Sequence, residues 1–144
     1  LKNLQSKIWI ENFCDLLFLF ENKFIVCYYF HMLKIEIENK ENIYYINLAG
    51  DIDYNYEVEL KSRLETLFSS VKTTVIDLKD VHYIDSIGLS IMTYYKKQLM
   101  KYKKKLYFYR PYEQIKKVFL MTRFDQIIPI IETEDEFQKI EREG

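Results

Sequence analysis

The sequence predicts an α/β protein built on a mixed, mostly parallel sheet of four to five strands with about four helices. Three observations carry this. Short alternating or β-branched apolar runs recur from residue 33 onward, and segments with helical spacing separate them. The order of the two types is β-β-α-β-α-β-α-β-α, and strands that alternate with helices pair in parallel through helical crossovers. The right-handedness of such crossovers leaves few topologies.

The elements follow in order. Leu33-Lys34-Ile35-Glu36-Ile37-Glu38 alternates apolar and charged, the pattern of a strand with one wet face. Asn39 to Asn42 is a polar turn, and Ile43 to Ala49 is a second strand with Tyr44, Ile46 and Leu48 on one face. The short link makes the pair an antiparallel hairpin. Gly50-Asp51-Ile52-Asp53 reads as a loop. Leu60, Leu64, Leu67, Phe68 and Val71 then fall on one stripe of a helix over about Tyr54 to Ser70. Thr74-Val75-Ile76-Asp77-Leu78 suits a strand covered on both faces. A long helix after Asp85 runs to about Lys104, with Leu89, Met92, Leu99 and either Tyr95 or Tyr102 inward.

Leu106 to Tyr109 is the next strand. Pro111 suits the first turn of the helix that follows, whose core side carries Ile115, Val118 and Phe119. Ile127 to Ile131 is a last strand, and Pro129 within it marks an edge. Thr133-Glu134-Asp135-Glu136 fits a capping box that opens a terminal helix with Phe137 and Ile140 apolar.

A chain of 144 residues buries a core without disulfides or metals. The net charge of -1 gives no phosphate-neutralising surface, which argues against direct binding of nucleic acid. Cys14 and Cys27 lack the Cys/His company of a metal site and fit a reduced, cytoplasmic protein. Residues 1–31 form a separate N-terminal extension and residues 32–144 the domain. The apolar run from Ile8 is broken by Glu11, Asp15, Glu21 and Lys23, too many charges for a membrane-spanning helix. Met32 is the first methionine and an ordinary strand follows at once, so Met32 reads as the true start and residues 1–31 as an over-extended reading frame. The alternatives are an amphipathic helix that packs on the domain or a partner, and a peripheral membrane anchor.

Asp85-Ser86-Ile87-Gly88-Leu89 sits where a strand and loop feed a helix N-terminus. Glycine is scarce, and the two internal ones, Gly50 and Gly88, fall at such junctions, where backbone geometry or close approach leaves no room for a Cβ. On spacing alone Ser86 either caps the helix with its hydroxyl or follows Asp85 acting as the cap.

The chain from about 33 to 140 resembles the STAS domain of anti-sigma factor antagonists. The resemblance rests on Leu48-Ala49-Gly50-Asp51-Ile52-Asp53, on Val75-Ile76-Asp77-Leu78 and on Tyr83-Ile84-Asp85-Ser86-Ile87-Gly88-Leu89. Val118-Phe119-Leu120 and Phe124-Asp125-Gln126-Ile127-Ile128 continue it. It implies a regulatory binding protein and no enzyme. The unphosphorylated form binds a partner that is both anti-sigma factor and serine kinase, which frees a sigma factor. Phosphorylation of Ser86 switches binding off, and a serine phosphatase restores it. Ile87 stands where many members carry a second hydroxyl, leaving Ser86 the only acceptor in the motif. The implied partner-binding set is Asp51, Asp53, Asp85, Ser86, Ile87, Gly88, Leu89 and Met92. Asp51 and Asp53 read equally as a turn and helix cap. The alternative function is a constitutive STAS adaptor in a signalling scaffold or lipid-transport complex, with Ser86 only a cap.

No catalytic residues, cofactor or metal ligands are expected. His82, Asp85 and Ser86 lie too close in sequence for a loop to orient them as a triad, and no nucleophile elbow, P-loop or dinucleotide fingerprint accompanies them. Lys96, Lys97, Lys101, Lys103, Lys104 and Lys105 read as a solvated basic helix end. The sharper reading is contact with anionic lipid or an acidic partner.

Overall fold

A computed structural model describes residues 32–144. The expectations placed on residues 1–31 lie outside the described residues. The sheet has five strands: β1 (Lys34–Asn39), β2 (Ile43–Ile52), β3 (Thr73–Ile84), β4 (Leu106–Tyr109) and β5 (Ile130–Ile131). Four helices accompany it: α1 (Glu57–Glu65), α2 (Ser86–Lys101), α3 (Glu113–Met121) and α4 (Glu134–Glu143).

The strands lie in the sheet in chain order. β1 pairs antiparallel with β2, and β2, β3, β4 and β5 pair in parallel. Right-handed crossovers that step always in one direction place their helices on one face. The packing agrees. Tyr44, Ile46, Leu48, Ile76, Leu78 and Phe108 from the sheet meet Leu60 and Leu64 of α1, Met92 and Tyr95 of α2, and Ile115 and Phe119 of α3. The alternate strand positions, Ile43, Val75, Tyr109 and Ile131, form a smaller cluster with Phe137 of α4 on the other face.

Several elements differ from the sequence expectation. The helix expected over Tyr54 to Ser70 is three pieces, with 3-10 turns at Tyr54–Tyr56 and Thr66–Ser70 flanking α1. β3 runs on through residues that read as a loop, because Val81 and Ile84 still face the core while Lys79, Asp80, His82 and Tyr83 are exposed. Register shifts between Asn47 and Ala49 and between Gly50 and Asp51 break its period of two.

Gly50, with φ 103, supplies a left-handed residue within β2. α2 ends at Lys101 and not Lys104, Tyr102 is exposed, and Tyr95 takes the inward position. Pro111 precedes the helix instead of entering its first turn, since Tyr112 is the N-cap of α3. The last strand is only Ile130–Ile131, at the sheet edge just after Pro129. The capping box at Thr133 and Glu136 is formed.

Candidate functional site

β2 and β3 lie side by side, and their carboxyl ends emerge together, with Ile52 opposite Ile84 in the register. In open parallel sheets this end is where ligands and partners are met. Each strand feeds a helical segment through an aspartate. Asp53 accepts hydrogen bonds from the backbone N–H and the side-chain amide of Asn55, at 2.9 and 3.1 Å, and so fixes the turn that leads into α1. Asp85 is the N-cap of α2, with an extended backbone. Its Oδ1 accepts from the Gly88 N–H at 2.9 Å and its Oδ2 from the Tyr54 N–H at 3.0 Å. Its own N–H donates to the Ile52 carbonyl at 3.1 Å. One carboxylate therefore ties the loop after β2 to the start of α2.

Ser86 is the first residue of α2 and is exposed. Since Asp85 does the capping, the Ser86 hydroxyl makes no hydrogen bond among the described residues. It stands at the positive end of the helix dipole, beside first-turn N–H groups that lack helical partners. Gly88 is buried beneath it. A Cβ there would lie 2.8 Å from Ile52 Cγ2, 2.8 Å from Ile84 Cγ1 and 3.0 Å from the Ile52 carbonyl. The missing side chain lets α2 sit down on the strand ends and sets the height at which Ser86 is presented.

The structure thus brings Asp53, Asp85, Ser86 and the half-buried Ile87 and Leu89 to one end of the sheet. Gly88 and Met92, named from sequence with the partner-facing set, lie underneath. Met92 is wholly buried in the main core, so neither offers surface. The physical reason is helical spacing, which puts 88, 91, 92, 95 and 99 on the sheet side. Asp51 is half-buried in β2 opposite Tyr83.

Sequence reasoning passed over the exposed apolar residues near this end. Tyr54 is 69% exposed, Val58 81%, Tyr83 52% and Tyr94 37%. The signal was available, because Val58 and Tyr94 fall off the apolar stripes of α1 and α2. Two other features singled out from the sequence have contacts of their own. His82 packs its ring edge-on against Tyr112, with centroids 5.4 Å apart. Lys103, Lys104 and Lys105 line a cavity of about 230 Å³ with Thr73, at the opposite end of β3.

A second polar cluster occupies the sheet face that carries α4. Asp77 is fully buried and accepts hydrogen bonds from the Tyr45 hydroxyl and the Arg110 guanidinium, and from the Lys79 N–H at 3.1 Å. A carboxylate without water needs such partners. Burial first, and then the bond to Asp77, push the Tyr45 phenol well above its ordinary pKa. These contacts satisfy the Asp77 carboxylate and brace β2 to β3 and to the end of β4, while the buried Nε of Arg110 has no hydrogen-bond partner among the described residues.

Comparison with known proteins gives a consistent picture. The family model of the STAS domain matches residues 34–137. The anti-sigma-B factor antagonist of Bacillus subtilis (strain 168) is 30% identical over 98 residues, covering 68% of this chain and 90% of that protein. An anti-sigma factor antagonist from Mycobacterium paratuberculosis superposes with a TM-score of 0.67 at 19% identity, over 76% of this chain and 94% of that one. The antagonist SpoIIAA in its unphosphorylated form gives 0.64 at 19% identity, over 78% and 98% of the two chains. Bacillus SpoIIAA in its phosphorylated form gives 0.58 at 18% identity, over 75% and 97%. The solved structures share with this chain the five-stranded mixed sheet with four helices.

Proposed function

The chain belongs to the STAS domain family, and from this premise we propose that it is an anti-sigma factor antagonist controlled at Ser86. Unphosphorylated, it binds an anti-sigma factor that is also a serine kinase, and a sigma factor is freed. Phosphorylation of Ser86 ends the complex and a serine phosphatase restores it. The place of action is the cytoplasm, where these partners meet. No helix among the described residues is long and apolar enough to cross a membrane.

The observation that carries this reading is the division of labour between Asp85 and Ser86. Asp85 holds the helix start, so the exposed Ser86 hydroxyl is free for a kinase and for a partner. In the alternative reading, a constitutive adaptor, Ser86 would not be the cap, since Asp85 holds that position. SpoIIAA, solved in both phosphorylation states, keeps this fold in each.

The physics of the switch follows from the site. A phosphate adds about -1.5 to -2 charges and strong acceptor oxygens. At a helix N-terminus the dipole accommodates an anion, so the domain stays folded. A partner surface fitted to a neutral hydroxyl instead meets a dianion backed by the carboxylates of Asp85 and Asp53. Each ~1.4 kcal/mol of that penalty is tenfold in affinity. Ser86→Asp is therefore expected to weaken binding of the anti-sigma factor at least tenfold, with a thermal midpoint close to wild type. Calorimetric titration beside a melting curve checks both. A Ser86→Asp protein that binds as tightly as wild type refutes the reading.

A further inference from the structure

We propose that the anti-sigma partner's footprint runs from Ser86 along a ridge made by the outer faces of α1 and α2, with Tyr54, Val58 and Tyr94 as its apolar contacts. This rests on the antagonist reading of Ser86 and specifies where the partner sits.

The size of a stable interface is the first argument. Such interfaces cover roughly 800 Å² on each partner. The sheet end around Ser86 offers only Asp53, Ile87, Leu89 and a few neighbours, so the contact has to extend. The ridge supplies the extension. On α1, Leu60 and Leu64 face the core, and the exposed positions Glu57, Glu59, Lys61, Ser62, Arg63 and Glu65 are polar. Val58 is the exception, 81% exposed on a side where it adds nothing to the core. A β-branched residue also lowers helix propensity there. Folding gives no reason for it, whereas a partner does.

On α2, Ser86, Ser90 and Tyr94 are exposed at intervals of four and form one stripe. At 1.5 Å per residue Tyr94 lies ~12 Å along the helix from Ser86. Its hydroxyl reaches Glu65 at 3.4 Å, and the Lys61 ammonium lies 5.1 Å from its ring centroid. These contacts join the two helices into one surface. Tyr54, 69% exposed, completes the ridge at the Ser86 end, where its N–H is held by Asp85. Tyrosine is favoured at interface centres because it gives large contact area with a polar tip. Among the other exposed apolar residues, Leu120, Met121 and Ile127 sit on and after α3, Met100 and Tyr102 at the far end of α2, and Met32 and Tyr112 just before β1 and α3, while Tyr83 lies on β3 opposite Asp51.

The occupant is thus a protein surface with an apolar trough for Tyr54, Val58 and Tyr94 beside an acceptor for the Ser86 hydroxyl. The same geometry lets phosphorylation reach the ridge. A dianion on Ser86 repels the Asp85 carboxylate that holds the Tyr54 N–H.

The test uses the whole chain and a purified anti-sigma factor that binds it. Val58→Asp and Tyr94→Ala are each expected to weaken that complex at least tenfold. Val58→Asp keeps the wild-type thermal midpoint because its side chain is 81% exposed, and Tyr94→Ala, which also gives up the contacts to Glu65 and Lys61, remains folded at the assay temperature. Met121→Asp, exposed but off the ridge, is expected to bind as wild type. If Val58→Asp and Tyr94→Ala bind as wild type while Ser86→Asp does not bind, the ridge is wrong and the Ser86 reading stands. If Met121→Asp weakens binding as much as Val58→Asp, the ridge is likewise overturned. If Ser86→Asp binds as wild type, or no anti-sigma factor binds the wild-type chain, the antagonist reading fails and the ridge with it.

Discussion

At Gly88 a single hydrogen in place of a side chain decides how Ser86 is held. Alanine is the better helix former by about 1 kcal/mol. Its methyl group, however, would meet two buried isoleucines at 2.8 Å and a backbone carbonyl at 3.0 Å. Overpacking of this kind costs about 1–3 kcal/mol, and here the clash outweighs propensity because Ile52 is fully buried and has nowhere to move. Gly88→Ala is expected to lower stability by ~1–2 kcal/mol in urea unfolding. An unchanged midpoint would show that α2 does not rest on the strand ends through this glycine. The sequence pointed to Gly50 and Gly88 through their scarcity and placement. It did not separate their reasons, a positive φ at one and close approach at the other, because both reasons depend on tertiary neighbours. Nor could spacing decide between Asp85 and Ser86 as cap. That choice depends on the Tyr54 N–H, which comes from another loop.

Among the elements, α2 is held to the sheet through Tyr95. The ring stacks on Phe68 at 5.5 Å, and the hydroxyl pairs with the Thr74 hydroxyl at 3.1 Å. Burial pushes the phenol up from 10.0 to about 12. The folded state therefore binds its proton more tightly than the unfolded chain does. The resulting stability is complete below pH 10 and is lost as pH rises from 10 through 12. Two pKa units correspond to about 3 kcal/mol. Wild type is expected to lose that much more stability than Tyr95→Phe between pH 9 and 12, measured by urea unfolding. Parallel curves for the two proteins would count against it.

Element existence and order were legible from periodicity alone, but ends were not. The far half of β3 reads as a loop because the shifts in register against β2 destroy its alternation. α2 stops early because Lys103, at φ 56, closes it. The Lys104 and Lys103 N–H groups return to the carbonyls of Leu99 and Met100, both at 3.0 Å, in a Schellman turn where glycine is usual. Lysine gave no signal of a left-handed residue. On the surface, the stripes that identified the core by their apolar positions also hid Val58 and Tyr94, which lie off them.

For the whole molecule, sheet order fixes where function can sit. With the strands in chain order and three crossover helices on one face, the ends of β2 and β3 meet, and two aspartate-capped turns open side by side. The buried Asp77 brace lies on the α4 face, and the lysine-lined cavity lies at the opposite end of β3 from Ser86. The proposed phosphorylation of Ser86 would accordingly act on one end of a sheet that need not rearrange.

That claim is tested most directly by the intact mass of the protein after incubation with ATP and its anti-sigma kinase, wild type beside Ser86→Ala. The account predicts that wild type gains one phosphoryl group and leaves the kinase, while Ser86→Ala gains none and stays bound. Wild type that binds the kinase yet gains no mass, or a Ser86→Ala protein that gains it, would contradict the assignment of the switch to Ser86.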